Sequence, residues 1–429
     1  MSKLGLQIED SGFATADIQK DAELLNLVKG RIKYWNMGSM PPFMTLPTDK
    51  NILKTVQKWR KKICKRANQL IVFGIGGSSL GGEMLVNGLK TKGGLPVKFY
   101  DNVDPNTLSN LNKVDWRKTF LLVVSKSGGT AETLSQFLTT LPALQNRLGS
   151  DFNQHVAIIT ENRKSDIGKI AKILNIPIID HPAVGGRFSA LSVVGLLPAA
   201  VAGADIAELL DGAKFMLKKC LLADFETNPA LRGAASQYLM NKKAKNISVY
   251  MSYGQKLDRV AAWQSQLLGE SLGKTDVEGK PHGLTPVAAR GVTDQHSQLQ
   301  LYLDGPSDKQ FTFLFDPKST NSGRKISKKL SKNFKKLKSV TPLIGRSTGE
   351  LFKAEFLGTR DALINRKLPV RTFNIATGDA FAFGEMIILL ESETVIMAEF
   401  LGVDAYDQPA VEDSKIRARV YLTQESIKK

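Results

Sequence analysis

The chain has 429 residues, of which 42% are hydrophobic, and a formal net charge of +18. That length can bury large cores in two or three domains, and the ordinary apolar content excludes a disordered chain. Its two cysteines, Cys64 and Cys220, supply neither a disulfide framework nor a metal-ligand spacing, which fits a reducing cytoplasmic setting.

The opening "MSKLGLQIEDSGF" lacks the basic-then-apolar pattern of a secretory signal. The run "QLIVF" at 69–73 is a predicted buried strand, and "GIGGSSLGG" follows it directly. A glycine-rich turn between a strand and a helix points several backbone N–H groups into one concavity, which suits an anion and most often a phosphate. A dinucleotide fingerprint starting at Gly74 and Gly76 would need its third glycine where Ser79 stands, with Asp101 or Asp104 as the ribose acid. No Lys-Ser or Lys-Thr pair follows at P-loop spacing, whereas the hydroxyls of Ser78 and Ser79 suit a terminal phosphate. A bare structural turn explains such a loop equally well when it stands alone.

Further apolar runs follow at 97–101, 120–125, 156–160 and 176–180. Their near-continuous apolarity predicts strands covered on both faces, as in a parallel sheet flanked by helices. The third of these strands, counting "QLIVF" as the first, leads into "SKSGGTAET", where Ser125, Lys126, Ser127 and Thr130 stand at a strand end before a helix. Two such loops in one sheet make a shared phosphate cradle the better reading, since open α/β sheets bind ligands at the carboxyl ends of their strands. "LSVVGLLPAAVAGA" at 191–204 is interrupted by Pro198 and too short to span a bilayer, so a buried helix is predicted and no membrane association.

After a helical pattern at 207–222 the alternation restarts with strands at 246–252, 311–316 and 370–375. The expected organisation is α/β throughout: an N-terminal segment 1–46, a first three-layer αβα unit over 47–205, and a second over 206–429. "AAWQSQLLGESLGK" reads as a helix that puts Gln266 and Glu270 on one face at i and i+4 and ends at Gly273 and Lys274. His296 lies between polar neighbours in "GVTDQHSQLQLY". Eight of the fifteen residues from Arg324 to Lys338 are basic, with Ile326, Leu330, Phe334 and Leu337 at helical spacing. That segment is predicted to be an amphipathic basic helix on the surface. No aromatic interleaving points to nucleic acid, and the remaining positive excess reads as spread along the chain, compatible with an acidic small substrate.

The blocks "GIGGSSLG", "SKSGGTAET", "GGRFSALSVVGL", "QLLGESLGK", "DQHSQLQ" and "DQPAVEDSK" together resemble the phosphoglucose isomerase family, in its order and over about 340 residues. The resemblance is to the shorter, bacterial-like members. It implies two sugar-isomerase (SIS) α/β domains with mainly parallel sheets, a homodimer, a phosphorylated hexose as substrate, and neither cofactor nor metal. It further implies that Gly77 and Ser78 line the sugar-phosphate site beside Ser125, Lys126, Ser127 and Thr130. Glu270 would shuttle a proton between C2 and C1, Arg187 would face the enediolate, His296 and Lys415 would open the ring, and Gln266 and Gln408 would hold sugar hydroxyls. Aldose–ketose interconversion needs such a carboxylate and a fixed positive charge. The four histidines (His155, His181, His282 and His296) and the two cysteines form no ligand pattern. Many members carry a hydroxyl residue where this chain has Gly129, a change that bears on phosphate affinity. The alternatives are a broader isomerase that also takes mannose 6-phosphate, and a non-catalytic sugar-phosphate sensor.

Overall fold

The computed structural model describes residues 2–7, 21–334 and 336–427. A short strand β1 (Gly5–Gln7) comes first; β2 (Gln69–Phe73), β3 (Val97–Tyr100), β4 (Thr119–Val124), β5 (Val156–Thr160) and β6 (Ile178–Asp180) follow. β2 to β6 form one parallel sheet in the order β3-β2-β4-β5-β6. The near-continuous apolarity of β2, β4 and β5 has its predicted cause, whereas β3 and β6 lie at the sheet edges and are only partly buried. Phe120, Leu122 and Val124 of β4 face one core, while Leu121 and Val123 face another on the opposite side. A strand buried on both faces has no room for alternating polar residues.

The second sheet is built from β7 (Ile247–Tyr253), β10 (Thr285–Gly291), β11 (Lys309–Phe315) and β12 (Val370–Asn374), with a two-stranded hairpin of β8 (Lys274–Thr275) and β9 (Pro281–His282) outside it. Its order is β1-β12-β11-β7-β10, parallel except for β1, which runs antiparallel to β12. The N-terminal residues are thus tied to the far end of the chain. Glu385, buried in the helix Ala380–Leu401, accepts hydrogen bonds from Ser2 Oγ at 2.6 Å, Lys3 N at 2.9 Å and Leu4 N at 2.8 Å.

The largest core lies between the two sheets. It takes Leu70, Val72 and Phe120 from the first and Tyr250, Leu314 and Phe373 from the second, and fills the space with helices, among them Val193–Val201, Ile206–Cys220, Asp258–Leu272 and Ala380–Leu401. The apolar run around Pro198 is the predicted buried helix, and every residue of Val193–Val201 is buried. Arg371 of β12 is joined to the central helix by an ion pair to Glu393 at 2.7 Å, both side chains 1% exposed, with further bonds to Thr312 Oγ1 at 2.8 Å and Tyr250 OH at 3.1 Å. The hydrogen bonds to Thr312 and Tyr250 occupy the other guanidinium nitrogens of Arg371, which offsets part of the cost of burying the charge.

The basic segment 324–338 departs from expectation. It forms a 3₁₀ turn at Lys328–Leu330 and a single α-turn at Ser331–Phe334 in place of one helix. Like charges at i and i+4, such as Lys328 with Lys332 and Lys332 with Lys336, repel. Leu330, Phe334 and Leu337 remain 39–52% exposed, so no buried face offsets the cost of helix formation.

Candidate active site

In the first sheet the chain leaves β2 toward β3 on one side and returns to β4 on the other. The loops after β2 and β4 therefore flank the crevice where the strand order reverses, the position that open α/β sheets use for ligands. These are the two loops of glycines and hydroxyls. In the second loop, Ser125 Oγ is 3.0 Å from Thr130 Oγ1 and accepts from the Gly128 N–H at 3.1 Å. The Gly129 N–H donates to Ser127 Oγ at 3.3 Å. Gly128 has φ +70°, and a Cβ there would lie 1.9 Å from Ser165 Oγ, so the turn requires glycine. Lys126 is half-exposed at the rim and lies 3.5 Å from Glu161.

The first loop touches the turn Gly186–Phe188 that carries Arg187. A Cβ on Gly77 would sit 2.2 Å from the Gly186 carbonyl carbon, and Ser189 Oγ donates to the Gly77 carbonyl at 3.0 Å. Gly77→Ala is therefore expected to destabilise the fold by about 1–3 kcal/mol through overpacking and to lower kcat/KM at least tenfold by displacing Arg187. Urea melts and an activity assay measure the two effects; wild-type values in both would contradict the close approach. Ser78 follows in the same turn and is partly buried.

Arg187 is 1% exposed and every nitrogen of its guanidinium is occupied. Nε donates to Ser271 Oγ at 2.8 Å, and one terminal nitrogen donates to Glu270 at 3.0 Å and Gln408 Oε1 at 2.7 Å. The other holds the carbonyls of Ala405 at 2.5 Å and Asp407 at 3.0 Å. Burial lowers the affinity of this guanidinium for its proton, and the adjacent Glu270 carboxylate opposes that shift; it stays charged at any working pH. Gln266 Nε2 donates to the second oxygen of Glu270 at 2.9 Å, as the i, i+4 spacing on Asp258–Leu272 predicts. A Cβ on Gly76 would come within 3.0 Å of that same Gln266 nitrogen. The glycine loop, Arg187, Gln266, Glu270 and Gln408 are thus one constellation.

His296 and Lys415 stand outside it. His296 ends the 3₁₀ turn Thr293–His296 after β10, is exposed, and makes no hydrogen bond or ion pair with that constellation among the described residues. Lys415 lies on the exposed helix Val411–Ile427 and pairs with Glu412 at 2.6 Å. Two residues that sequence reasoning passed over belong to the site. Ser271 orients Arg187. Lys274 is 9% exposed and grips the loop before Gln408 through the Asp404 carbonyl at 3.0 Å and through both the carbonyl and carboxylate of Asp407. Its position in "ESLGK" beside Glu270 was the available signal. Among the described residues no group of three or more His, Cys, Asp or Glu side chains is placed to hold a metal ion, and no helix is long and apolar enough to cross a membrane.

Two mainly parallel sheets, hydroxyl-rich strand-end loops at a switch point, and a carboxylate held against a buried arginine beside them define a protein of the SIS α/β class. The phosphoglucose isomerase family model matches residues 49–428, and the chain belongs to that family. It is 36% identical to a glucose-6-phosphate isomerase of Carboxydothermus hydrogenoformans, over 96% of this chain and 90% of that one. Identity to a glucose-6-phosphate isomerase of Thermus thermophilus is 34%, over 96% and 98%. A crystal structure of a hypothetical protein, also from Thermus thermophilus, superposes with TM-score 0.87 at 32% identity, covering 98% of this chain and 99% of that one. A Chlamydia trachomatis glucose-6-phosphate isomerase shares the fold with TM-score 0.72 at 21% identity, over 88% and 74%.

Proposed function

We propose that this chain interconverts glucose 6-phosphate and fructose 6-phosphate through ring opening and a cis-enediol. The observation that carries this reading is the Arg187–Glu270 pair, a fixed cation 3.0 Å from a carboxylate that is itself 31% exposed at the mouth of the phosphate-type loops. Glu270 takes the C2 proton of the open-chain aldose, the C–H electron pair becomes the C1–C2 double bond, and the former aldehyde oxygen takes the negative charge. Arg187 faces that charge, and its five donors are preorganised by Ser271 and the 405–407 carbonyls, so little reorganisation accompanies the step. A proton passes from O2 to O1, and Glu270 then returns its proton to C1 as the C2 oxyanion collapses to the ketone. Gln266 supports the reading by holding the other carboxylate oxygen at 2.9 Å.

Ser125, Ser127, Thr130 and Lys126, with the Gly77–Ser78 turn, receive the phosphate in this scheme, and Gln408 a sugar hydroxyl. His296 and Lys415 act in ring opening. His296 lies outside the constellation of its own chain, which supports a homodimer in which it serves the site of the second copy. A coupled assay with glucose 6-phosphate, fructose 6-phosphate and mannose 6-phosphate tests the function. Turnover of the first pair is expected, and binding without turnover would make the protein a sensor.

A further inference from the structure

The positive charge of this protein is concentrated in two segments, where the sequence had suggested an even spread outside 324–338. The helix Lys50–Arg66 carries eight Lys and Arg and no acid, and residues 317–349 carry ten and no acid. Those eighteen account for the whole net charge, because they leave 41 of the 59 basic residues against 41 acidic ones.

The two segments differ in form. In 317–349, Lys318, Lys328 with Lys329, and Lys332 lie on separate short turns. Lys50–Arg66 is one regular helix, fastened to the core by buried Ile52, Val56 and Ile63. Lys50, Lys54, Lys58, Lys61 and Lys65 stand at i, i+4, i+8, i+11 and i+15, which at 100° per residue places them in one stripe on the side away from those three residues. The stripe is about 22 Å long. All five lysines are exposed, and none forms an ion pair among the described residues. Arg60 is occupied differently, its Nε donating to the Ala200 carbonyl at 2.9 Å. Lys62 beside the stripe is held below the usual lysine range by partial burial and by repulsion from Arg66 and Lys58. The helix thus presents a rigid row of ammonium groups with no anion of its own.

We propose that this row is a docking surface for the phosphodiester backbone of a nucleic acid, bound without regard to base sequence. A straight line of point charges matches a line of phosphates, and each lysine that meets a phosphate releases a counterion. The helix has no exposed large apolar side chain, and its apolar face is already spent on the core, so it has nothing to insert into a lipid surface. It also has no arginine fork or exposed aromatic ring on the stripe with which to read or stack bases.

The test measures binding of a single-stranded RNA of mixed sequence, about 20 nucleotides long, to the full-length protein across a series of salt concentrations. The variant K50Q/K54Q/K58Q/K61Q/K65Q is compared with K113Q/K172Q/K280Q/K353Q/K367Q, which removes the same charge from scattered positions. The stripe variant is expected to bind at least tenfold more weakly at low salt and to lose about three units of the log–log salt slope, at about 0.7 per phosphate contact. The scattered variant should stay within about threefold of wild type and keep its slope. Fructose 6-phosphate turnover should be unchanged in both, since none of these lysines belongs to the Arg187–Glu270 constellation. Equal losses in the two variants would reduce the binding to net charge and overturn the proposal. So would a stripe variant that binds RNA like wild type, or a wild-type protein that ignores RNA and binds phosphatidylserine vesicles.

Discussion

Glu270→Gln is expected to lower kcat for fructose 6-phosphate by at least about 10² to 10⁴-fold, the usual contribution of a positioned acid–base group, while phosphosugar binding persists. The amide keeps the shape of the side chain and can still accept from Arg187, but it cannot carry the proton between C2 and C1. Folding should survive the change. Arg187 retains Ser271 Oγ, Gln408 Oε1 and the carbonyls of Ala405 and Asp407 as acceptors. Glu270 is about a third exposed, so solvent screens the lost charge pair and the cost should stay within about 1 kcal/mol. A coupled assay paired with a thermal melt separates the two effects. Turnover within tenfold of wild type, with the melt unchanged, would remove Glu270 from the role of proton carrier.

The second large effect concerns the exposed His296. Homodimers of Glu270→Gln and of His296→Ala should each be nearly inactive, because both of their sites carry a lesion. Co-refolding the two variants should restore activity. If His296 serves the neighbour's site, a mixed dimer concentrates both lesions in one site and leaves the other intact. Random assembly makes about half of the dimers mixed, so recovery should reach about a quarter of the wild-type activity. If His296 instead serves its own chain, every site in the mixed dimer keeps one lesion. Activity would then not exceed the sum of the two variants despite verified subunit exchange.

Much of the scaffold was legible in the sequence because the features involved are local. β2, β4 and β5 could be read from continuous apolar runs, since a strand covered on both faces has no solvent side to mark with polar residues. The two glycine and hydroxyl loops announced themselves at the ends of those runs, and the Gln266–Glu270 pair followed from helical spacing alone. β10, "TPVAARG", escaped notice because it lies at the sheet edge with most of its residues only partly buried or exposed, so its composition resembles a loop. β1 was missed because three residues carry no periodicity.

What only the tertiary structure decided is which distant groups meet. A periodic pattern records that a face is buried, not what it is buried against. Nothing local ties Arg187 to Glu270, 83 residues away, or to Gln408, 221 residues away. The Ala405 and Asp407 carbonyls that hold its other nitrogen have no side-chain signature at all. Glu385 and Glu393 occupy core positions of a central helix where charge would ordinarily be excluded; the N-terminal amides reach Glu385, and Arg371 and Gln237 reach one oxygen of Glu393, from elsewhere in the chain. The lysine stripe stands between these cases. Its residues and their spacing are plain in the sequence, but their meaning as an uncompensated row depended on the helix lying at the surface with no acid folded against it.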